Sequence, residues 1–141
     1  MTRVRNRNLK EKILEEMTAD YSNALDKNFD LAKQLIKITK DGKVDVLHKD
    51  EFSGKQEILL YLAGKLYAKE AGLIKTEEAG NKELMEELGI PKGSVLPWIK
   101  DLRDHKKIKQ IKKGKFANYT IPISLIEETL TSAHKKIGKL K

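Results

Sequence analysis

The sequence predicts a mainly α-helical protein with small β-hairpins, and three observations support this fold class. Several segments repeat apolar residues at intervals of three and four, which is the spacing of an amphipathic helix. Two segments match the capping box that starts a helix, at Ser53 with Gln56 and at Ser124 with Glu127. Two further stretches alternate apolar and polar residues on either side of a glycine-containing loop, which is typical of a β-hairpin.

The N-terminal region, residues 1–50, is expected to be helical and to end in a small hairpin. Apolar residues recur at every fourth position of an otherwise charged stretch: Leu9, Ile13, Met17, Tyr21 and Leu25. This spacing predicts an amphipathic helix, which Asn28 is expected to end before a new helix starts. Apolar residues then alternate at 36–38 and 44–46, and a loop with Gly42 in the left-handed conformation would join the two strands.

Two helices are expected in the next part of the chain. The first starts at the capping box of Ser53 and ends near Gly72, since glycine is preferred just past a helix end. Residues 76–80 are expected to form a loop. Asn81 is the predicted N-cap of a second, short helix that ends at Gly89, because asparagine accepts hydrogen bonds from free backbone N–H groups.

A third helix follows, and a proline within it decides where it is expected to start. Pro97 lacks an N–H group and would disrupt a helix that begins at Lys92. With Ser94 as the N-cap, Pro97 falls in the first turn, where the N–H group has no helical partner. We therefore expect the helix to start at Ser94. Two β-like runs, at 108–111 and 116–121, then predict a hairpin with a basic tip.

The last segment, residues 124–141, predicts one more helix. Its apolar residues are spaced by four and three positions: Ile126, Leu130, Ala133, Ile137 and Leu140. The stripe is too short to identify as a coiled coil. We expect it to pack against the N-terminal region or against a second copy of the chain. A homodimer formed through this stripe and that of residues 9–25 is the corresponding hypothesis.

The order of elements over residues 51–123 resembles that of the winged helix-turn-helix DNA-binding proteins, of the type found among archaeal and bacterial regulators. The resemblance depends on the short helix with its turn at 89–91, on the apolar spacing of the third helix and on the basic hairpin. In that family the third helix lies in the major groove of DNA, and the hairpin, or wing, contacts the backbone or the minor groove. The resemblance therefore implies a DNA-binding transcriptional regulator.

The net charge of +8 is concentrated in one part of the chain. Residues 91–121 contain nine basic and two acidic side chains, whereas residues 56–90 contain four and seven. Such a group of cations favours a polyanionic partner, because neutralising phosphates releases the counterions condensed on nucleic acid. The resemblance implies contacts with double-stranded DNA from the third helix and the wing: Lys92, Ser94, Lys100, Arg103, Lys112, Lys113 and Lys115.

Residues 96–98, Leu-Pro-Trp, depart from the family pattern, which usually has polar side chains there that read base edges. Trp98 has three interpretations: it packs on the edge of the core, stacks on a sugar or base, or anchors a protein partner. Core packing is the one we favour, and stacking keeps Trp98 among the predicted nucleic-acid contacts. The alternative function is a winged-helix module that binds a protein through Leu96, Pro97 and Trp98. An RNA partner is a further alternative, because basic wings do not distinguish the two polymers.

Three arginines near the N-terminus form a second basic segment: Arg3, Arg5 and Arg7. They are interleaved with asparagines, which suits an arm that follows the minor groove of DNA. The alternative is a solvated chain end that binds nothing. We include the three arginines among the predicted nucleic-acid contacts.

Other function classes find little support in the composition. The chain has no cysteine, which excludes disulfides, thiol catalysis and zinc sites with cysteine ligands. The three histidines, His48, His105 and His134, lack companion ligands at metal spacing, so we expect no metal or other cofactor. No nucleophile, base and oxyanion group come together, and we expect no enzymatic activity. No apolar run approaches ~20 residues, which predicts a cytoplasmic protein without a membrane partner.

Overall fold

The computed structural model of the chain describes residues 8–17 and 23–138. These residues are mainly helical, as predicted. The helices are α1 (Leu9–Lys12), continued by a π-helical turn at Ile13–Met17, α2 (Ala24–Lys27), α3 (Phe29–Leu35), α4 (Gly54–Glu70), α5 (Asn81–Leu88), α6 (Lys92–Asp104) and α7 (Ile126–Gly138). Five strands form two small antiparallel sheets: β1 (Ile36–Ile38), β2 (Val44–Val46), β3 (Ala79–Gly80), β4 (Lys109–Lys113) and β5 (Phe116–Thr120). Single 3₁₀ turns at Lys49–Glu51 and Ile123–Leu125 precede α4 and α7.

α4 is the central helix, because the β1–β2 sheet, α5, α6 and α7 all pack against it. The capping box predicted at its start is confirmed. The Ser53 hydroxyl accepts from the Gln56 N–H, and the Gln56 side chain accepts from the Ser53 N–H, both at 3.2 Å. The helix ends just before Gly72, as predicted. The buried apolar residues of α4 belong to one continuous core that also includes residues of α3, α5, α6 and α7.

The predicted hairpin of β1 and β2 is confirmed, and a glycine closes its loop. The Gly42 N–H donates to the Thr39 carbonyl at 2.9 Å, and Gly42 has a φ of +89°. A Cβ atom at Gly42 would lie 2.5 Å from the Ile74 side chain, so this close approach requires glycine. On α4, a Cβ atom at Gly64 would lie 2.3 Å from Val44. The hairpin therefore packs directly on the backbone of α4.

The second sheet contains a strand where a loop was expected. In the order β3–β5–β4, Ala79 pairs with Tyr119 and Gly80 with Asn118. The prediction of Asn81 as an N-cap is wrong as well: Gly80 is the N-cap and α5 begins at Asn81 itself. The reason is that pairing with β5 keeps the chain extended as far as Gly80, so the helix starts directly after the strand.

The predicted start of the last helix is also wrong. Pro122, not Ser124, is the N-cap of the 3₁₀ turn that leads into α7, and its carbonyl accepts from the Leu125 N–H at 2.9 Å. This hydrogen bond closes a 3₁₀ turn, within which Ser124 has no role as a cap. The apolar stripe beyond it is buried by the same chain, where α7 packs on α3 and α4: Ile126, Leu130 and Ala133. Leu140 lies outside the described residues.

The N-terminal stripe is divided between short segments. Leu9 is 72% and Met17 is 78% exposed, whereas Leu25 on α2 packs against the core. Tyr21 lies outside the described residues. Asn28 separates α2 from α3 as predicted, and its side-chain amide donates to the Ala24 carbonyl at 2.8 Å. Among residues 8–17 and 23–138, no helix is both long and apolar enough to cross a bilayer.

Candidate nucleic-acid interface

α6 has a buried side and an exposed side. Val95, Ile99 and Leu102 face the core. The exposed side carries residues spaced by four, four and three positions: Lys92, Leu96, Lys100 and Arg103. Residues at these intervals share one face of a helix. The cations predicted on the third helix therefore lie in a row along its outer surface.

α6 begins at Lys92, so the predicted start at Ser94 is wrong. The N–H groups of Ser94 and the next residue both donate to the Pro91 carbonyl, at 2.9 and 3.1 Å, and this places Pro97 inside the helix. The carbonyl that Pro97 fails to bond is that of Gly93. Gly93 and Pro97 are both exposed, so the missing hydrogen bond lies at the protein surface rather than in the core, where an unpaired carbonyl would cost more. Ser94 is half-buried in the first turn of α6.

Trp98 lies on the flank of α6 that faces the start of α4. A Cβ atom at Gly54 would lie 2.1 Å from the Trp98 ring, so the indole rests on the backbone of α4. The ring is partly buried against the core. Trp98 thus packs at the core edge and does not belong to the row of cations.

Asp101, on the same flank, is bound within the chain. Its carboxylate lies 2.5 Å from the Lys55 ammonium and 3.3 Å from Nδ1 of His105. The hydrogen bond from Lys55 holds the pKa of Asp101 below its usual value, and the nearby positive charges lower it further. The Asp101 carboxylate therefore stays ionised and tied to α4.

The row of cations continues from α6 onto β4. The Arg103 guanidinium donates to the Gln110 side chain, which links the end of α6 to the strand. Since alternate strand residues share one face of a sheet, Lys112 lies on the same face as Gln110, about 7 Å further along. The Lys112 side chain is exposed.

Lys113 lies on the opposite face of this hairpin and is bound to the loop before β3. Its ammonium is 3.1 Å from a Glu78 carboxylate oxygen, which also accepts from the Asn118 amide at 3.1 Å. Hydrogen bonds from Asn118 and then from Lys113 lower the pKa of Glu78. The structure therefore separates Lys113 from Lys112, although both were predicted in one basic tip.

The turn of the hairpin is shorter than expected. Only Gly114 and Lys115 lie between the last strand pair, Lys113 with Phe116. Lys115 is exposed, and so is Phe116, at 78%. Our sequence interpretation missed Phe116, although an aromatic residue beside a Gly-Lys turn was a usable signal. It also missed Gln110, for which a single polar residue in a strand gave no signal.

The chain turns from α6 into β4 through a residue in the left-handed conformation. Lys106 has a φ of +59°, which costs a non-glycine residue about 1–2 kcal/mol. Its N–H donates to the Arg103 carbonyl at 3.0 Å, and the N–H of Lys107 donates to the Leu102 carbonyl at 2.8 Å. These bonds end α6 and fix the angle between helix and hairpin.

A metal-binding cluster and a groove are the two other types of site to consider in the described residues. No group of three or more metal-binding side chains occurs there. A groove of about 200 Å³ lies between α4 and α7, but its charged side chains, Lys107 and Glu128, are bound to each other at 2.7 Å. The predicted arm of Arg3, Arg5 and Arg7 lies outside the described residues.

No family model, no curated protein and no solved structure matches the chain. The candidate interface is therefore described from the geometry of this chain alone. It brings together Lys92, Lys100, Arg103 and Lys112, with Lys115 at the turn.

Proposed function

We propose that the chain binds double-stranded DNA and acts as a transcriptional regulator. In this proposal residues 51–123 form a winged helix-turn-helix unit, in which α6 enters the major groove and the β4–β5 hairpin contacts phosphates. The order of α4, α5, α6 and the hairpin supports it, because this is the order that the sequence resemblance implies. A major groove about 12 Å wide accommodates one α-helix with its side chains.

The observation that carries the proposal is one exposed surface of α6 and the hairpin, which we call the basic face: Lys92, Lys100, Arg103, Lys112 and Lys115. At 1.5 Å per residue, Lys92 and Arg103 are about 16 Å apart along α6. In the described ranges no carboxylate lies within ion-pair distance of Lys92, Lys112 or Lys115. These cations are therefore available to phosphates.

The acidic side chains near the basic face are already bound. Each is paired with a lysine: Asp101 with Lys55, Asp104 with Lys100, Glu78 with Lys113 and Glu128 with Lys107. A carboxylate paired in this way repels phosphate less than a free one. The exposed pair of Lys100 and Asp104 is weak and exchanges readily for a phosphate contact.

A matched pair of triple variants tests the proposal. Each variant replaces three exposed lysines by alanine: Lys100, Lys112 and Lys115 in the first, and Lys37, Lys40 and Lys43 of the β1–β2 hairpin in the control. Both variants lose three positive charges, so any difference in their DNA affinity depends on where the lysines lie. We expect the first variant to bind a random DNA duplex at least about tenfold more weakly in fluorescence anisotropy at low salt. The control should stay within about twofold of wild type.

Equal losses in the two variants would show a non-specific charge effect and would contradict the assignment of the basic face. Failure of the wild-type chain to bind DNA at low salt would overturn the proposed function itself.

Protein binding is the second candidate, and exposed apolar side chains on α6 favour it. Leu96 is 49% exposed and lies beside Pro97, which is also exposed. Trp98 contributes little to this candidate, because its ring packs on Gly54. The substitution Leu96→Ala tests whether Leu96 belongs to the DNA contact. If Leu96 serves a protein partner and the basic face provides the DNA-binding energy, DNA affinity should stay within about twofold of wild type, whereas a larger loss would assign Leu96 to DNA.

An RNA partner is distinguished by competition. The major groove of duplex RNA is deep and narrow and does not admit a helix. We therefore expect duplex RNA of the same sequence to compete at least about tenfold less well than duplex DNA. Equal competition would indicate contacts through the hairpin alone and would favour RNA.

A homodimer remains part of the proposal, with its contact limited to the N-terminal segment. The C-terminal stripe is covered by its own chain, whereas Leu9 and Met17 are exposed. Pairing through the N-terminal segment would place two copies of α6 for a two-part DNA site. Light scattering tests this point, because a dimer has twice the chain mass of 16.1 kDa. A monomer at micromolar concentration would remove it.

A further inference from the structure

The turn of the β4–β5 hairpin carries an aromatic ring that the core does not use. Phe116 is 78% exposed, the same fraction as Met17 and the highest among large apolar side chains in the described part of the chain. It pairs with Lys113 at the very end of the hairpin. Phe29, at 52% exposure, differs because the Lys33 ammonium lies 5.6 Å from its ring centroid. No cation covers the Phe116 ring within the described ranges.

The surroundings of Phe116 match the chemistry of a nucleotide. Lys115 is adjacent in the turn and is exposed. Lys113, the cross-strand partner of Phe116, is bound to Glu78, so Lys115 is the cation beside the ring that is free for a phosphate. A nucleotide likewise joins a flat aromatic base to an anionic phosphate. Base–aromatic stacking is favourable for every base, so it needs no sequence-specific hydrogen bond.

Whether the base is paired or unpaired follows from the access that a ring has to the face of a base. Within a duplex both faces of each base are covered by its neighbours, and a ring reaches a face only after the stack is opened. An unpaired base offers its face without that cost. A flat ring at the tip of a narrow hairpin therefore fits an unpaired base better than an intact duplex.

We propose that Phe116 stacks on an unpaired base while Lys115 binds the adjacent phosphate. The hairpin turn is then a site for short single-stranded or distorted stretches within the DNA that the basic face holds. This inference rests on the proposed function and names the DNA structure that it recognises.

The experiment compares two probes of about 20 base pairs and identical sequence, one fully paired and one with a gap of about three nucleotides in one strand. Wild-type protein should bind the gapped probe more tightly. Phe116→Ala should weaken binding to the gapped probe by about 5- to 100-fold and binding to the paired probe by less than about twofold. Phe29→Ala, which removes the same side chain elsewhere, should change neither affinity.

A second variant separates stacking from general apolar contact. Phe116→Leu keeps apolar bulk but has no aromatic face, so it should behave like Phe116→Ala. Phe116→Trp should retain the gapped-probe affinity within about threefold. Since Phe116 is exposed, all these variants should unfold at the wild-type temperature.

The outcomes distinguish this inference from the proposed function. Unchanged gapped-probe binding in Phe116→Ala, or equal weakening of both probes, would overturn the inference while leaving DNA binding intact. Full affinity in Phe116→Leu would overturn it too. Wild-type protein that binds neither probe would overturn both proposals. Loss of binding to phosphatidylserine vesicles in Phe116→Ala, with gapped-probe binding unchanged, would assign the ring to a membrane surface instead.

Discussion

α4 and α6 carry charge in opposite ways. On α4, Lys65 is only 9% exposed and its ammonium lies 2.8 Å from Glu83 of α5, which also accepts from the Tyr61 hydroxyl at 2.5 Å. Burial, followed by the hydrogen bond to Glu83, raises the pKa of Tyr61 and keeps it a donor. On α6, Lys92 and Lys100 are exposed at the surface.

The difference separates two roles of charge in one small protein. A buried ion needs a partner in the same chain, so the fold depends on the pairing of Lys65 with Glu83. An exposed cation contributes little to folding and is free for an outside partner. Substitutions of the buried side chains of α4 should therefore change stability, and substitutions of the exposed cations of α6 should change binding.

The largest expected effect is on the core of α4. Leu62 is fully buried, and Leu62→Ala should lower the free energy of unfolding by about 3 kcal/mol, because it removes contacts and leaves a cavity. The matched variant Leu96→Ala on the exposed side of α6 should cost less than about 0.5 kcal/mol. Chemical denaturation measures both values. Similar losses of unfolding free energy in the two variants would contradict the claim that α4 stabilises the fold and that the exposed side of α6 does not.

A smaller effect is expected for the ion pair between α4 and α5. Glu83→Ala leaves Lys65 with a buried charge and Tyr61 with an unpaired hydroxyl, and it should cost about 2 kcal/mol, a value reduced because Glu83 is one-third exposed. The control Asp104→Ala removes the partner of Lys100 at the surface and should cost less than about 0.5 kcal/mol. Equal losses of unfolding free energy in the two variants would show that burial does not determine how much an ion pair contributes to stability.

The smallest effect is expected in the loop between α4 and β3 and depends on pH. Glu77 lies 2.9 Å from the Lys69 ammonium, and the hydrogen bond from Lys69 holds the pKa of Glu77 below 4.5. A lowered pKa means that the pairing stabilises the fold above pH 4.5 and that this contribution is lost as the pH falls through the lower folded value. The melting temperature of wild type should exceed that of Glu77→Gln at neutral pH, and the difference should vanish in acid. A difference that persists to about pH 2 would contradict the assignment.

The elements that the sequence predicts correctly depend on neighbouring residues. Ser53 and Gln56 are three residues apart, and so are Thr39 and Gly42, so the hydrogen bonds between them are visible as a sequence pattern. β3 was missed because two residues become a strand only by pairing with β5, about forty positions later. The start of α6 was wrong because the Pro91 carbonyl, rather than Ser94, bonds the first free N–H groups.

The sequence predicted which residues of the candidate site carry positive charge, but not all of the contacts that they make. The charge count located the cations within residues 91–121, and helical spacing placed Lys92, Lys100 and Arg103 on one face. The sequence did not show that Glu78 binds Lys113, since the two lie 35 positions apart. Nor did it show that Trp98 turns onto Gly54, because that contact depends on how α6 crosses α4.

The most direct test of the account is the salt dependence of DNA binding. If the five cations of the basic face neutralise phosphates, log K for a random duplex should fall with log salt concentration with a slope of about −4.5. The variant without Lys100, Lys112 and Lys115 should show a slope nearer about −2, while the control without Lys37, Lys40 and Lys43 keeps the wild-type slope. A wild-type slope near zero, or the same flattening in both variants, would contradict the claim that the basic face binds nucleic acid.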